Sequence, residues 1–283
     1  MNHIVWIIMD SCRFDAFAAA KIKNFNKVGE VEKRYSYASW TSPSHYTFLM
    51  GMIPHKSPSG VFASQVYREE FKLWNERIGV DNLSFKDFVP ELNLVKRLRD
   101  QGYKTIGRVS LPVLNQNTTM SAYFHDYKLM DDHNDFSGMV ENIEFRKNEP
   151  SFYFLNLGET HYPYMLKDEN LPHISGVHGV FKHLDDFIIH EGDEGKFDAG
   201  NFFTHPEMQR LKKQQIEATE YCDSVFGELI KKSPANTHFI ITADHGELFG
   251  EEGYFGHGPI MHEKVFEIPF IEGKVKKGFL KKS

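Results

Sequence analysis

The stretch His238-Phe239-Ile240-Ile241-Thr242-Ala243-Asp244-His245-Gly246 joins an apolar run to an adjacent Asp and His. A short continuous apolar run bounded by polar residues is the signature of a strand buried on both faces, as in a parallel sheet. Ile4–Met9 repeats that pattern and ends at Asp10, and Ser151–Leu157 (SFYFLNL) supplies a third such run. Lys104–Val109 and Val265–Ile271 are weaker strands of the same kind. Helical patterns lie between them. Asn93–Gln101 stops at Gly102, a C-terminal capping position, and Met208–Lys231 places apolar residues at helical spacing. Strands alternating with helices predict a doubly wound α/β fold, with a mainly parallel central sheet and helices on both faces.

The chain has 283 residues, 41% of them hydrophobic, which is enough to bury one large core. With no internal repeat and no linker, a single domain over residues 1–283 is expected. The stretch from about Pro163 to Pro206 breaks the rhythm, being rich in His, Asp, Gly and Phe without a clean period. It reads as an insertion, a lid or binding loop over one end of the sheet. A net charge of −6 argues against a nucleic-acid polymer as partner, because phosphate backbones demand a basic face. Two cysteines, Cys12 and Cys222, exclude both a disulfide framework and a cysteine-type zinc site. Fifteen histidines tilt any metal site toward nitrogen and oxygen donors. Ile4–Met9 is too short to span a bilayer and lacks the flanks of a secretory leader, so a soluble, cytoplasmic protein is expected. The Lys-rich tail KVKKGFLKKS reads as a solvated end.

In open α/β sheets the functional groups gather just past the carboxyl ends of the strands. Asp10 and the Asp244-His245 pair both occupy such positions, and an Asp beside a His suits a divalent metal. A third segment, Trp40-Thr41-Ser42-Pro43-Ser44-His45, opens a helix that closes at Gly51. Ser42 before Pro43 reads as the helix cap and first-turn proline, which puts Thr41 at the helix start. Unpaired N–H groups and the helix dipole attract an anion there. A hydroxyl so placed can attack phosphorus, provided a metal or base lowers its pKa.

The order of these segments resembles that of the alkaline phosphatase superfamily. An Asp follows the first strand, Thr-x-Pro-Ser opens a helix, and Asp244-His245-Gly246-Glu247 comes near the end. Three further stretches are similar to that template. Asp100-Gln101-Gly102-Tyr103-Lys104-Thr105 looks like the helix, Gly-Tyr, strand unit of sulfatase-like domains. His161-Tyr162-Pro163-Tyr164 looks like their His-x-Pro-Tyr strand end. Asp244 to Glu251, with Gly253-Tyr254 and His257-Gly258-Pro259, resembles the closing motif of phosphoethanolamine transferases. The likeness runs from Asp10 to Ile271.

The resemblance implies a metal site of Asp10, Thr41, Asp244 and His245, with Thr41 as nucleophile. It implies that His161 and His257 hold the substrate phosphate, a second metal or the leaving-group proton. His45 stands where sulfatases carry arginine; with Glu159 it is a further candidate for substrate or a second metal, and Glu247 and Arg108 are weaker ones. Zinc or manganese is the implied ion, one or two per chain. Threonine cannot become the formylglycine of sulfatases, so phosphoryl chemistry is expected rather than sulfate-ester chemistry. The expected function is therefore a phosphate-ester hydrolase or phospho-group transferase acting on a small-molecule ester through a phospho-threonine intermediate. Sulfatase-like, phosphomutase-like or phosphonate-cleaving activity, or a non-catalytic binding protein that keeps the fold, are the alternatives.

Overall fold

The computed structural model describes residues 1–165, 180–182, 203–258 and 260–276. In chain order its strands are β1 (His3–Met9), β2 (Glu32–Tyr35), β3 (Lys104–Val109), β4 (Asp126–Leu129), β5 (Ser151–Leu157), β6 (Val180–Lys182), β7 (Thr237–Thr242), β8 (Leu248–Phe249), β9 (Tyr254–Gly256) and β10 (Glu267–Lys274). Its helices are α1 (Phe14–Ala19), α2 (Thr41–Leu49), α3 (Ala63–Lys72), α4 (Trp74–Ile78), α5 (Leu94–Asp100), α6 (Phe136–Glu141), α7 (His205–Lys232) and α8 (Glu263–Phe266).

Seven strands form the main sheet in the order β2-β10-β7-β1-β5-β3-β4. β1 pairs in parallel with β5 and β7, and β3 in parallel with β5 and β4. β10 runs antiparallel to both β7 and β2, so the sheet is mixed only at that edge. Burial follows from alternation along β1. Val5, Ile7 and Met9 point into a core shared with Phe17, Phe136, Cys222 and Phe226 from α1, α6 and α7. Ile4, Trp6 and Ile8 point into a second core with Phe48, Phe71, Trp74 and Leu98 from α2, α3, α4 and α5. Helices thus cover both faces, as an α/β sandwich of this type requires.

Several local readings need correction. The segment Val265–Ile271 is not one strand: α8 takes its first residues and β10 begins at Glu267. β2 and β4 were not foreseen, because short edge strands such as Glu-Lys-Arg-Tyr carry no apolar run. α2 starts two residues earlier than Ser42 and Pro43 suggested. Trp40 holds the cap position in an extended conformation, with no side-chain cap, and Thr41 is the first helical residue. Its C-terminal end is as read, with Gly51 at φ +88 beside Phe71 and Trp74. Asn93 caps α5 by accepting from the Lys96 N–H.

Most of the insertion expected over 163–206 lies outside the described residues, as does the tail beyond residue 276. Of that insertion, β6 pairs antiparallel with β9, in a small sheet completed by β8. Among the described residues no helix is long and apolar enough to cross a membrane.

Candidate metal and nucleophile site

Four chain segments converge at the carboxyl ends of β1, β5 and β7. β1 delivers Asp10, β7 is followed by Asp244 and His245, α2 starts with Thr41, and β5 runs into Gly158–His161. Asp10, Asp244, His245 and His45 are completely buried, and Thr41 retains 6% of its exposure. Thr41 Oγ1 lies 3.5 Å from Asp10 Oδ1 and 3.3 Å from His245 Nε2. His245 Nε2 lies 3.3 Å from Asp244 Oδ2 and 3.8 Å from Asp10 Oδ1. The four residues expected as one cluster are therefore brought together.

The electrostatics of this cluster are one-sided. Burial, then repulsion from Asp244, pushes the Asp10 carboxyl up to about 7, against the pull of His245, His45 and the Asn156 amide. Burial pushes Asp244 up to about 7 as well, although the N–H groups of Ser11 and His245 favour its ionised form. The imidazoles do not offset the carboxyls. Burial lowers both His45 and His245 to about 4, and His257 adds repulsion at His245. Asp244 Oδ2 is buried with no hydrogen-bond partner, which is costly for a carboxylate oxygen.

A divalent cation fits this donor set. Ligands about 2.0–2.1 Å from a tetrahedral ion stand roughly 3.3–3.4 Å from one another, close to the spacings around Thr41 Oγ1 and His245 Nε2. His245 Nδ1 donates to the Gly246 carbonyl at 2.9 Å, which fixes the tautomer and leaves the Nε2 lone pair turned toward the carboxylates. Donor atoms of Asp10, His45 and Asp244 also lie within 4.8 Å of one another.

A row of imidazoles leads away from this centre. Ring centroids are 4.3 Å apart for His245 and His257, 5.4 Å for His257 and His161, and 5.6 Å for His161 and His133. His257 Nδ1 is 2.9 Å from Glu247 Oε1, and the Tyr164 hydroxyl donates to the other oxygen of that carboxylate. His161 Nδ1 donates to the Tyr162 carbonyl at 2.8 Å. Both histidines thus direct Nε2 away from their anchors. Glu159 is placed differently. Its Oε1 accepts the Phe136 N–H at 2.7 Å, at the start of α6. Arg108 pairs with Asp126 of β4, on an edge strand remote from Asp10.

Two participants were not read from sequence. Asn156 donates to Asp10 Oδ2 at 2.9 Å and lies 3.3 Å from His45 Nε2. It was hidden inside the run SFYFLNL, although a lone amide in a strand buried along its length was itself a signal. His133, whose Nε2 is buried without a hydrogen-bond partner, sits in a polar loop that offered none.

No family model matches the sequence, and no curated protein matches it. Solved structures do. The C-terminal periplasmic domain of the phosphoethanolamine transferase EptC from Campylobacter jejuni superposes with a TM-score of 0.53 at 15% identity, covering 96% of this chain and 78% of that one. The corresponding domain of EcEptC from Escherichia coli gives 0.51 at 15%, covering 98% and 73%. A 2-O GAG sulfatase, BT1596, gives 0.53 at 14%, covering 98% and 65%. At these identities the likeness shows the fold, which is the alkaline phosphatase-like α/β architecture that the motifs led us to expect.

Proposed function

We propose that this protein is a metal-dependent enzyme of small-molecule phosphate esters that acts through a phospho-threonine intermediate on Thr41. One observation carries the reading: a threonine hydroxyl at a helix start lies 3.5 Å from one fully buried carboxyl and 3.3 Å from an imidazole nitrogen that itself meets a second. Asp10, Thr41, Asp244 and His245 would hold the ion, and their oxygen and nitrogen donors suit zinc or manganese. Such an ion, when bound, lowers the pKa of the Thr41 hydroxyl and neutralises charge on the entering oxygen.

The chain's own groups then divide the work. The first N–H groups of α2 face the phosphate oxygens. Thr41 gives up its hydroxyl proton to water and Oγ1 forms the new bond to phosphorus while the ester oxygen leaves in line; Oγ1 takes a proton back from water when the second step frees it. His257, anchored through Nδ1 on Glu247, gives a proton from Nε2 to that leaving oxygen. Water or an acceptor alcohol next attacks the phosphorus, returns its proton to His257 and frees Thr41. His161, ring to ring with His257, is placed to hold the phosphate or a second ion. The likeness to phosphoethanolamine transferases bears on the fold rather than the substrate, and a hydrolase and a transferase share every step except the second acceptor. Sulfate esters fit less well, because threonine cannot supply formylglycine.

The test is turnover of bis(4-nitrophenyl) phosphate and 4-nitrophenyl phosphate by the zinc- or manganese-loaded protein. Thr41→Ala should lower kcat by roughly 10⁴-fold or more while the ion stays bound through the three remaining ligands. Retention of activity in that variant would remove Thr41 from the mechanism.

A further inference from the structure

His45 lies four residues beyond Thr41 on α2, and its donor atoms come close enough to Asp10 and Asp244 to look like a third ligand. The hydrogen bonds around its ring say otherwise. Nδ1 is 2.8 Å from the carbonyl oxygen of Thr41, an acceptor that can only receive a proton. Nδ1 therefore carries the hydrogen, and its 3.6 Å approach to Asp244 Oδ2 cannot be made through a lone pair. Nε2 faces the Asn156 side-chain nitrogen at 3.3 Å. The orientation of that amide is fixed independently, because Asn156 Oδ1 accepts the Ser110 and Leu111 N–H groups at 3.2 and 3.3 Å. Asn156 Nδ2 thus points its hydrogens inward, one to Asp10 Oδ2 and one to His45 Nε2. Both ring nitrogens are spent, and Phe48 and Phe154 pack edge-on against the ring.

We infer that His45 is a positioning residue and not a metal ligand: with Asn156 it forms a buried brace that ties the backbone of Thr41 to the carboxylate of Asp10. The brace runs from the loop after β3, through Asn156 of β5, to the first turn of α2. It sets the distance between the hydroxyl and the carboxylate that must share one ion, a separation that a free helix start would leave loose. An imidazole in this place does locally what neither a solvent-facing helix cap nor a charged side chain could do, since it gives one hydrogen bond and receives one without bringing in charge. The inference rests on Thr41 being the reacting group, but its direct test does not.

Three readouts decide it. In wild-type protein, a long-range ¹H–¹⁵N spectrum of the histidine rings should show His45 protonated at Nδ1 alone, unchanged on adding one equivalent of zinc. Loss of that Nδ1 proton with zinc, or a proton on Nε2, would overturn the brace. In calorimetric titration with zinc alone, His45→Asn should lose no more than about 100-fold in affinity, the range for a residue that orients ligands, and a loss well beyond that would make His45 a ligand. For turnover, His45→Phe should lower kcat by about 10- to 100-fold with little change in KM. His45→Asn, whose amide can still donate to the Thr41 carbonyl, should recover part of that loss; no recovery would contradict the role. Should wild-type protein prove inactive on phosphate esters, the spectrum and the titration still judge His45 separately.

Discussion

The central strands bury charge at both ends, and the two ends solve the problem differently. At the amino end, Arg77 of α4 grips Glu272 of β10 in a fork, with Nε to Oε2 at 2.7 Å and Nη2 to Oε1 at 3.0 Å. His238 of β7 stands 3.5 Å from the same carboxylate. Burial alone would push Glu272 up, but Arg77 and His238 outweigh it and hold the carboxyl below its ordinary value. At the carboxyl end, Asp10 and Asp244 face each other with only neutral imidazoles nearby, and both are pushed up to about 7. At the first end the carboxylate is matched by a guanidinium, although Arg77 Nη1 and both ring nitrogens of His238 lie buried without hydrogen-bond partners. At the second end two buried carboxyls stand against neutral imidazoles, the kind of perturbed titration that clusters at functional sites.

Breaking the Arg77–Glu272 pair should have the larger effect on folding. Arg77→Met leaves Glu272 without its partner and should cost about 3–5 kcal/mol in denaturant titration. Adding Glu272→Leu should recover most of that loss, because the orphaned charge is removed with the pair. At the other end the sign reverses. Asp244→Asn keeps an oxygen for the Ser11 and His245 N–H groups while removing one of two repelling carboxylates. Stability of the chelated protein at pH 8 should rise by about 1–2 kcal/mol, while zinc affinity falls by about 100-fold or more. A loss of stability instead would show that the two ends are built alike.

The smallest effect is on pH. In the ion-free protein Asp10 and Asp244 keep their protons up to about 7 when folded, against 3.8 for the ordinary carboxyl. The folded state therefore binds more protons across that interval, and stability falls as pH rises through it. Glu272 acts in the opposite sense, stabilising above its ordinary 4.5 and losing that contribution as pH drops through its folded value. His45 and His245, lowered to about 4 from an ordinary 6.5, act against the carboxyls between those values. The carboxyl contribution is therefore read as a difference. From pH 5 to pH 8 the melting temperature of chelated wild-type protein should fall further than that of Asp244→Asn, with added zinc restoring more at pH 8 than at pH 5. Equal pH profiles for the two proteins would contradict a raised Asp244 carboxyl.

The contrast between the two ends also shows what a sequence can and cannot reveal. Asp10, Asp244 and His245 were legible because each follows an apolar run, and strand ends in such sheets are where chemistry collects. Thr41 was legible as a helix start, though the register of the cap was not, because Trp40 performs it through backbone conformation alone. Asn156 was not recognised because a polar residue within a strand reads as part of the run until its neighbours are known. Arg77 and Glu272 meet across 195 positions, and nothing local in either segment marks a partner. Glu159, a site candidate by its motif, is seen bonded to the backbone of Phe136 at the start of α6.

The most direct test of the account is to trap the intermediate. Metal-loaded protein mixed with an activated phosphate ester and acid-quenched within a turnover should carry a phosphoryl group on the peptide containing Thr41, absent in Thr41→Ala. Burst release of nitrophenol with no adduct at Thr41, or with the adduct on His161 or His257, would contradict it.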